Sequence, residues 1–128
     1  SGTGGGGAGV WVGRARLRGA ASRAGVSGEP HAWSAGVLPP AEGYRRRLRK
    51  ICDDDGIVLI FDEVICGFGR MGANTGAEAF GVVPDMINIA KQVTNGAVPL
   101  GAVVARQEIY DTFMEAGGPE YMMEIPHG

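Results

Sequence analysis

The chain has 128 residues, of which 45% are hydrophobic and 20% are charged, a composition typical of one globular domain with a core. The formal net charge of −2 favours neither nucleic-acid binding nor membrane-surface binding, so neither partner is expected. The longest apolar run, residues 57–61, is too short to span a bilayer. The first residues are mostly glycine rather than a charged segment followed by an apolar one, so we expect no signal peptide.

Residues 1–28 differ in composition from the rest of the chain. They contain ten glycines and four arginines but no acidic residue, which gives them a charge of +4 against −6 for residues 29–128. No helical or strand period runs through them, so we expect a disordered or foreign segment joined to a domain that begins at residue 29. The G-x-G-x-x-G match from Gly2 to Gly7 is unspecific, because no strand precedes it and a glycine run fits almost any glycine pattern. A small nucleotide- or partner-binding module that uses these glycines is a non-enzymatic alternative.

The next elements follow in order along the chain. Residues 36–43 are rich in turn-forming residues. Residues 44–52 place Tyr44, Leu48 and Cys52 at helical spacing and basic residues between them, which predicts an amphipathic helix with a solvated basic face. Three aspartates and Gly56 then predict the end of that helix.

Residues 57–61 form a continuous β-branched and aromatic run, IVLIF. Such a run predicts a central strand that is covered on both faces of a parallel-type sheet. Further strands are predicted at residues 86–90 and 101–105, one helical turn at 77–80 and a helix at 107–115. This alternation predicts an α/β layer with a parallel or mixed sheet, whose ligands gather at the carboxyl ends of the strands. Asp62, Glu63 and Lys91 occupy such positions.

Two side chains at these strand ends have alternative interpretations. Asp62 either accepts N–H groups of its own turn or pairs with a buried cation such as a metal, a lysine or a protonated heterocycle. Lys91 is either a surface lysine or an amine whose pKa is lowered in a partly desolvated site, where it can form a Schiff base. Small residues around Lys91 leave room for a bulky group on its tip.

Other site chemistries find little support. His31 and His127 have no metal-binding spacing, and Cys52 and Cys66 form no C-x-x-C pair, so no metal is expected. The G-x-S-x-G sequence of a serine nucleophile is absent from the chain. We expect the two cysteines to be free thiols of a reducing compartment, in agreement with a cytoplasmic location.

The motifs together resemble one family. LIFDEVICGFGR at residues 59–70, Ala90-Lys91 and TNGAVPLGAVV resemble the class III (omega) pyridoxal-phosphate (PLP) aminotransferases. Residues 36–57, the pair Glu29-Pro30 and the final PHG are also similar to segments of that family. A lysine 29 positions after the aspartate makes the match specific. The similarity is greatest to the group that transfers amino groups from omega-amino acids such as β-alanine to pyruvate.

The resemblance implies a fold and a set of roles. The fold is the large-domain mixed or parallel sheet of the aspartate-aminotransferase-like (fold type I) PLP enzymes, of which residues 29–128 are a part. Asp62 would hold the ring nitrogen of PLP, Val64 would pack on a ring face, and Lys91 would form the Schiff base and move the substrate proton. Glu29 would lie near the ring as a supporting residue. For Gly67, Gly69 and Arg70 we expect only the geometry of a tight loop.

The resemblance also implies that the chain is a central piece of a longer enzyme. The segments that carry the phosphate cup, the ring-stacking aromatic and the small domain have no counterpart here. We therefore expect this chain alone to be inactive, whereas the complete enzyme would be a homodimer that acts on a small amino donor and a keto acid. An aminomutase or a racemase of the same fold is the alternative, since the same aspartate and lysine would serve it.

Overall fold

A computed structural model describes residues 25–33 and 36–116 of the chain. The described residues form four strands and three helices. In chain order the elements are β1 (Gly25–Gly28), α1 (Tyr44–Asp55), β2 (Val58–Asp62), α2 (Gly76–Phe80), β3 (Met86–Ile89), a 3₁₀ turn (Lys91–Val93), β4 (Ala102–Ala105) and α3 (Gln107–Ala116).

The four strands form one mixed sheet in the order β1-β2-β3-β4. The pairs β1–β2 and β2–β3 are parallel, whereas β4 runs antiparallel to β3. The carboxyl ends of β1, β2 and β3 therefore meet at the same edge of the sheet. This confirms the predicted α/β layer with a mixed sheet, and it confirms β2 as a central strand.

The structure differs from the predicted division of the chain at residue 28, because Gly25–Gly28 are part of the sheet. They were expected to belong to a disordered or foreign segment, but they form β1 and pair with β2 from Gly25↔Val58 to Gly28↔Phe61. The small residues of this strand have little hydrophobic pattern, so only the pairing with β2 reveals the strand. Residues 1–24 lie outside the described residues, and the expectation for them stays a prediction.

Helix α1 continues three residues beyond its predicted end. Arg49 pairs with Asp53 at 2.8 Å and Lys50 pairs with Asp54 at 3.1 Å, both at i,i+4 spacing, and these pairs offset the unfavourable position of aspartates in a last turn. Gly56 then ends the helix at a φ of 64° and donates its N–H to Cys52 O.

The core lies between α1 and one face of the sheet. In β2, Leu59 and Phe61 are 1% and 0% exposed, whereas Val58 and Ile60 on the other face are half-buried. The described residues thus cover one face of β2 more fully than the other. The remaining buried residues of this core are Val26, Leu48, Cys52, Ile57, Ala77 and Val82.

Asp85, which precedes β3, joins several elements. Its carboxylate accepts the Leu59 N–H at 2.7 Å and pairs with Arg49 at 2.8 Å and with Arg106 at 3.1 Å. Burial by itself would raise the pKa of Asp85, but the Leu59 N–H and the two arginines outweigh it and hold the pKa below its ordinary value. The contacts fix α1, β2 and the start of α3 relative to one another.

The described helices are all too short or too polar to cross a membrane.

Candidate active site

The residues predicted to form the site lie at the carboxyl edge of the three parallel strands. Glu29 follows β1, Asp62 ends β2, and Lys91 lies two residues after β3. Asp62 pairs in register with Asn88, and the preceding residue of β2 pairs with the last residue of β1. Glu29 and Asp62 are therefore at the same level of the sheet, and Lys91 lies three residues beyond the strand partner of Asp62.

Asp62 is half-buried and has one hydrogen-bond donor nearby. Its Oδ1 accepts the Val64 N–H at 3.1 Å, which is the turn contact expected in one of the two interpretations of this residue. Asp62 forms no ion pair with any residue in the described part of the chain, and its Oδ2 accepts no hydrogen bond there. The same contact holds Val64, also half-buried, beside the carboxylate.

Lys91 opens the 3₁₀ turn and has an unusual backbone conformation. Its φ is 49°, in the left-handed region that costs a non-glycine residue about 1 kcal/mol or more. Its side chain is exposed, so the partly desolvated environment predicted for it is not formed by the described residues. Such strain is common at functional sites.

An open groove of about 660 Å³ lies beside Lys91. Its walls consist of small and apolar residues, among them Ala90, Gly96, Val98 and Pro99. The Thr94 hydroxyl donates to Val98 O at 2.6 Å and closes the loop that forms one wall. Asp62, Val64 and Glu29 do not line this groove, so the structure places them at the same sheet edge as Lys91 but not in the same cavity.

Glu29 is held through its main chain. Its carbonyl oxygen accepts a hydrogen bond from Arg45 Nη2, and the next carbonyl, that of Pro30, accepts one from Arg45 Nε at 2.9 Å. Burial lowers the pKa of Arg45. The guanidinium therefore fixes the path of the chain as it leaves β1.

The loop after Asp62 reaches back to the neighbourhood of Lys91 through Arg70. With the Gln92 amide turned so that its oxygen faces Arg70, that oxygen accepts from Nε at 3.0 Å and from Nη2 at 2.5 Å. The same guanidinium lies 6.0 Å from the centre of the Trp33 ring. Gly69 has a φ of 91°, as expected for a tight loop, but the role of Arg70 in joining two loops was not predicted.

Glu63 is the residue of this region whose role the sequence analysis missed. It is 0% exposed, and its two carboxylate oxygens accept the N–H groups of Gly76 and Ala77, each at 2.8 Å. Its own N–H donates to Asn88 O at 2.9 Å. The alternation of β2 was a usable signal, because it places residue 63 on the same face as the buried Leu59 and Phe61.

The two cysteines are free, as predicted, and both are buried. Burial raises the pKa of both thiols. Within the described ranges, no group of three or more His, Cys, Asp or Glu residues could hold a metal ion.

Comparison with known proteins connects this arrangement to a family. Residues 17–125 match the sequence profile described as Aminotransferase class-III. Over 112 residues the chain is 60% identical to the beta-alanine–pyruvate aminotransferase of Pseudomonas aeruginosa and 59% identical to the omega-amino acid–pyruvate aminotransferase of Pseudomonas putida. Each alignment covers 88% of this chain and 25% of the relative. The chain thus spans about a quarter of the length of the curated relatives it matches.

Solved structures agree with this assignment. The omega transaminase from Pseudomonas jessenii in complex with PMP superimposes with a TM-score of 0.81 at 30% identity, over 94% of this chain and 26% of that chain. A transaminase from the marine bacterium Virgibacillus superimposes with a TM-score of 0.79 at 37% identity, over 84% of this chain and 24% of that one.

Proposed function

The chain belongs to the class-III aminotransferase family, and from this premise we propose that the complete protein is a PLP-dependent transaminase. It would move an amino group from an amine or an omega-amino acid to a keto acid such as pyruvate. The observation that carries the proposal is the placement of Asp62 and Lys91 at the carboxyl ends of adjacent parallel strands. The names of the two curated relatives reported above support the choice of substrates.

The side chains at this edge offer partners for two positions of PLP, its ring nitrogen and its aldehyde carbon. Asp62 offers a carboxylate oxygen, Oδ2, that accepts no hydrogen bond from the described residues, and a carboxylate of this kind can hold a protonated ring nitrogen. Lys91 offers a primary amine that can bond to the aldehyde carbon. When bound, PLP supplies a ring that accepts electrons from the substrate carbon.

The remaining roles belong to residues of this chain. Val64 would pack against the ring and exclude water from it, and the hydrogen bond from its N–H orients Asp62. Glu29 would support the ring side of the site. The Lys91 Nζ would take a proton from the substrate carbon and return it to the cofactor side.

The proposal extends to partners and location. The amino donor and the keto acid are small molecules, and the complete protein would act as a homodimer. A cytoplasmic location is supported by the free, buried thiols of Cys52 and Cys66.

Borohydride labelling tests the assignment of Lys91. The complete protein is loaded with PLP and reduced, and the modified peptide is identified by mass spectrometry. We expect the label on Lys91 and its loss in Lys91→Arg. Lys50→Arg is the matched control, because Lys50 is exposed and paired with Asp54, and it should leave the labelling unchanged. A label on any other residue contradicts the proposed role.

Product analysis separates the transaminase from the aminomutase alternative. The loaded complete protein is incubated with β-alanine and pyruvate. Formation of alanine that requires pyruvate, with malonate semialdehyde left from the β-alanine, supports amino transfer. The protein is also incubated with each member of a panel of amino acids. An isomerised product that forms without alanine favours the aminomutase instead.

A further inference from the structure

We propose that Glu63 is a positioning residue for Asp62, an inference that rests on the function proposed above. Its buried carboxylate fixes the loop that follows β2 and so sets the direction in which the Asp62 carboxylate faces the cofactor ring. Neither the family match nor the names of the relatives assign a role to this side chain.

The two carboxylates lie next to each other in the chain but on opposite faces of the sheet. Burial alternates along β2, so Leu59 and Phe61 are buried while Ile60 and Asp62 are half-buried. Glu63 continues the buried set. Asp62 therefore faces the open side of the strand end, and Glu63 anchors the same backbone from the protein interior.

Glu63 is held in a well-defined arrangement. An ionised carboxylate is costly to bury unless hydrogen-bond donors surround it, and here each oxygen has one, from Gly76 and from Ala77, at 2.8 Å. The carbonyl oxygen of Glu63 also accepts the Gly67 N–H at 3.0 Å. Glu63 thus binds both ends of the loop between β2 and α2.

The same junction includes the end of β1. A Cβ atom added at Gly76 would lie 2.6 Å from the Cβ of Pro30 and 3.1 Å from Glu63 Oε2, distances that leave no room for a side chain. Pro30 follows Glu29 directly. The Glu63 carboxylate therefore holds the loops that carry Glu29 and Asp62 in contact with each other.

Asp62 depends on this anchor because it has few contacts of its own. The one hydrogen bond that its side chain accepts in the described part of the chain comes from Val64, a residue of the loop that Glu63 holds. Further along the loop, Arg70 contacts Gln92, the neighbour of Lys91. A shift of the loop would consequently move Asp62 and disturb the turn that carries Lys91.

The test uses Glu63→Gln in the complete protein loaded with PLP. The amide keeps the size of the side chain but directs an NH₂ group at one of the two N–H donors, which loosens the loop. The measurement is the pH at which the absorption spectrum of the bound cofactor changes. We expect this midpoint to rise by about one pH unit. If Asp62 turns away, the ring nitrogen loses its proton and therefore its positive charge. That charge then no longer repels the proton on the Lys91 nitrogen, which is retained to a higher pH.

Glu78→Gln is the matched control. Glu78 lies in α2, together with Gly76 and Ala77. Its Oε2 accepts the Asn74 N–H at 2.9 Å, but the side chain is exposed. This variant should keep the midpoint of the unsubstituted protein. Hydrogen exchange of the Gly76 and Ala77 amides, measured without cofactor, should accelerate in Glu63→Gln and not in Glu78→Gln.

An unchanged midpoint in Glu63→Gln, together with faster exchange of the two amides, would show a purely structural role and overturn the proposal. If Glu63→Gln does not fold, Gly76→Ala replaces it, since its added methyl group presses on the same junction. The midpoint measured for Gly76→Ala must then rise, and an unchanged midpoint in that variant overturns the proposal. If the unsubstituted complete protein shows no PLP spectrum, the proposed function fails and this inference fails with it. A failure confined to Glu63→Gln leaves the proposed function intact.

Discussion

The guanidinium of Arg49 and the carboxylate of Asp85 form an ion pair of 2.8 Å that connects α1 to the residue before β3. Both side chains are largely buried, at 15% and 12% exposure. Asp85 also accepts the Leu59 N–H, so one carboxylate fixes the helix relative to the central strand. The orientation of that strand in turn sets the position of Asp62 at its end.

Asp85→Asn should lower the free energy of unfolding by about 2 kcal/mol, because it removes the buried partner of Arg49 and leaves that charge only its more exposed pair with Asp53. Urea denaturation of the purified chain, followed by circular dichroism, measures the change. Asp54→Asn is the control, since its ion pair with Lys50 is exposed and should contribute less than about 1 kcal/mol. Equal effects of the two substitutions would contradict the central role of Asp85.

Stability should fall in acid in a way that depends on Asp85. The folded pKa of Asp85 lies below the ordinary value of 3.8, so the folded state binds fewer protons there than the unfolded chain. The stabilisation is complete above that ordinary value and is lost as the pH falls through the lowered pKa. Between about pH 5 and pH 2 the free energy of unfolding should decline more steeply for the unsubstituted chain than for Asp85→Asn. If the free energy of unfolding falls with pH in parallel for the two proteins, Asp85 is not the source of the acid dependence.

Gly76→Ala should destabilise the chain by about 1–3 kcal/mol, because the new methyl group meets Pro30 and Glu63 in a close-packed junction. Gly28→Ala provides the comparison, since a Cβ atom there would have no neighbour within 4 Å. That variant should change the stability by no more than about 0.5 kcal/mol. Thermal unfolding of both variants measures the difference, and a neutral Gly76→Ala would show that the junction can relax.

Lys91→Gly should be more stable than Lys91→Ala by about 1 kcal/mol. Both variants lose the amine, but only glycine adopts the φ of 49° at this position without strain. Chemical denaturation of the two variants measures the difference directly. If Lys91→Ala is the more stable of the two, the left-handed conformation imposes no cost.

Neither Cys52 nor Cys66 should react with a thiol reagent at pH 8 while the chain is folded. Both are buried, at 1% and 0% exposure, and burial raises the pKa of each thiol, so access and thiolate content are both low. Both should react once the chain is unfolded in guanidinium. Fast labelling of one cysteine under native conditions would indicate local opening around it.

The sequence predicted the elements that have a strong local signal. The IVLIF run specified β2, the amphipathic spacing specified α1, and the spacing of Asp62 and Lys91 indicated the family. The sequence did not predict β1, because Gly25–Gly28 has almost no hydrophobic pattern and is a strand only by pairing with β2. It also ended α1 at residue 52, whereas the helix continues to Asp55 with the ion pairs of Arg49 and Lys50 in its last turns.

By itself the sequence determined which groups could carry the chemistry, namely a carboxylate and an amine at strand ends, because residue type and strand period are local properties. Only the tertiary structure decided what holds them. The roles of Glu63, Asp85 and Arg70 come from contacts with Gly76, Arg49 and Gln92, residues distant in the chain that the sheet brings together. Whether a buried carboxylate finds its hydrogen-bond donors depends on that packing, and no local pattern encodes it.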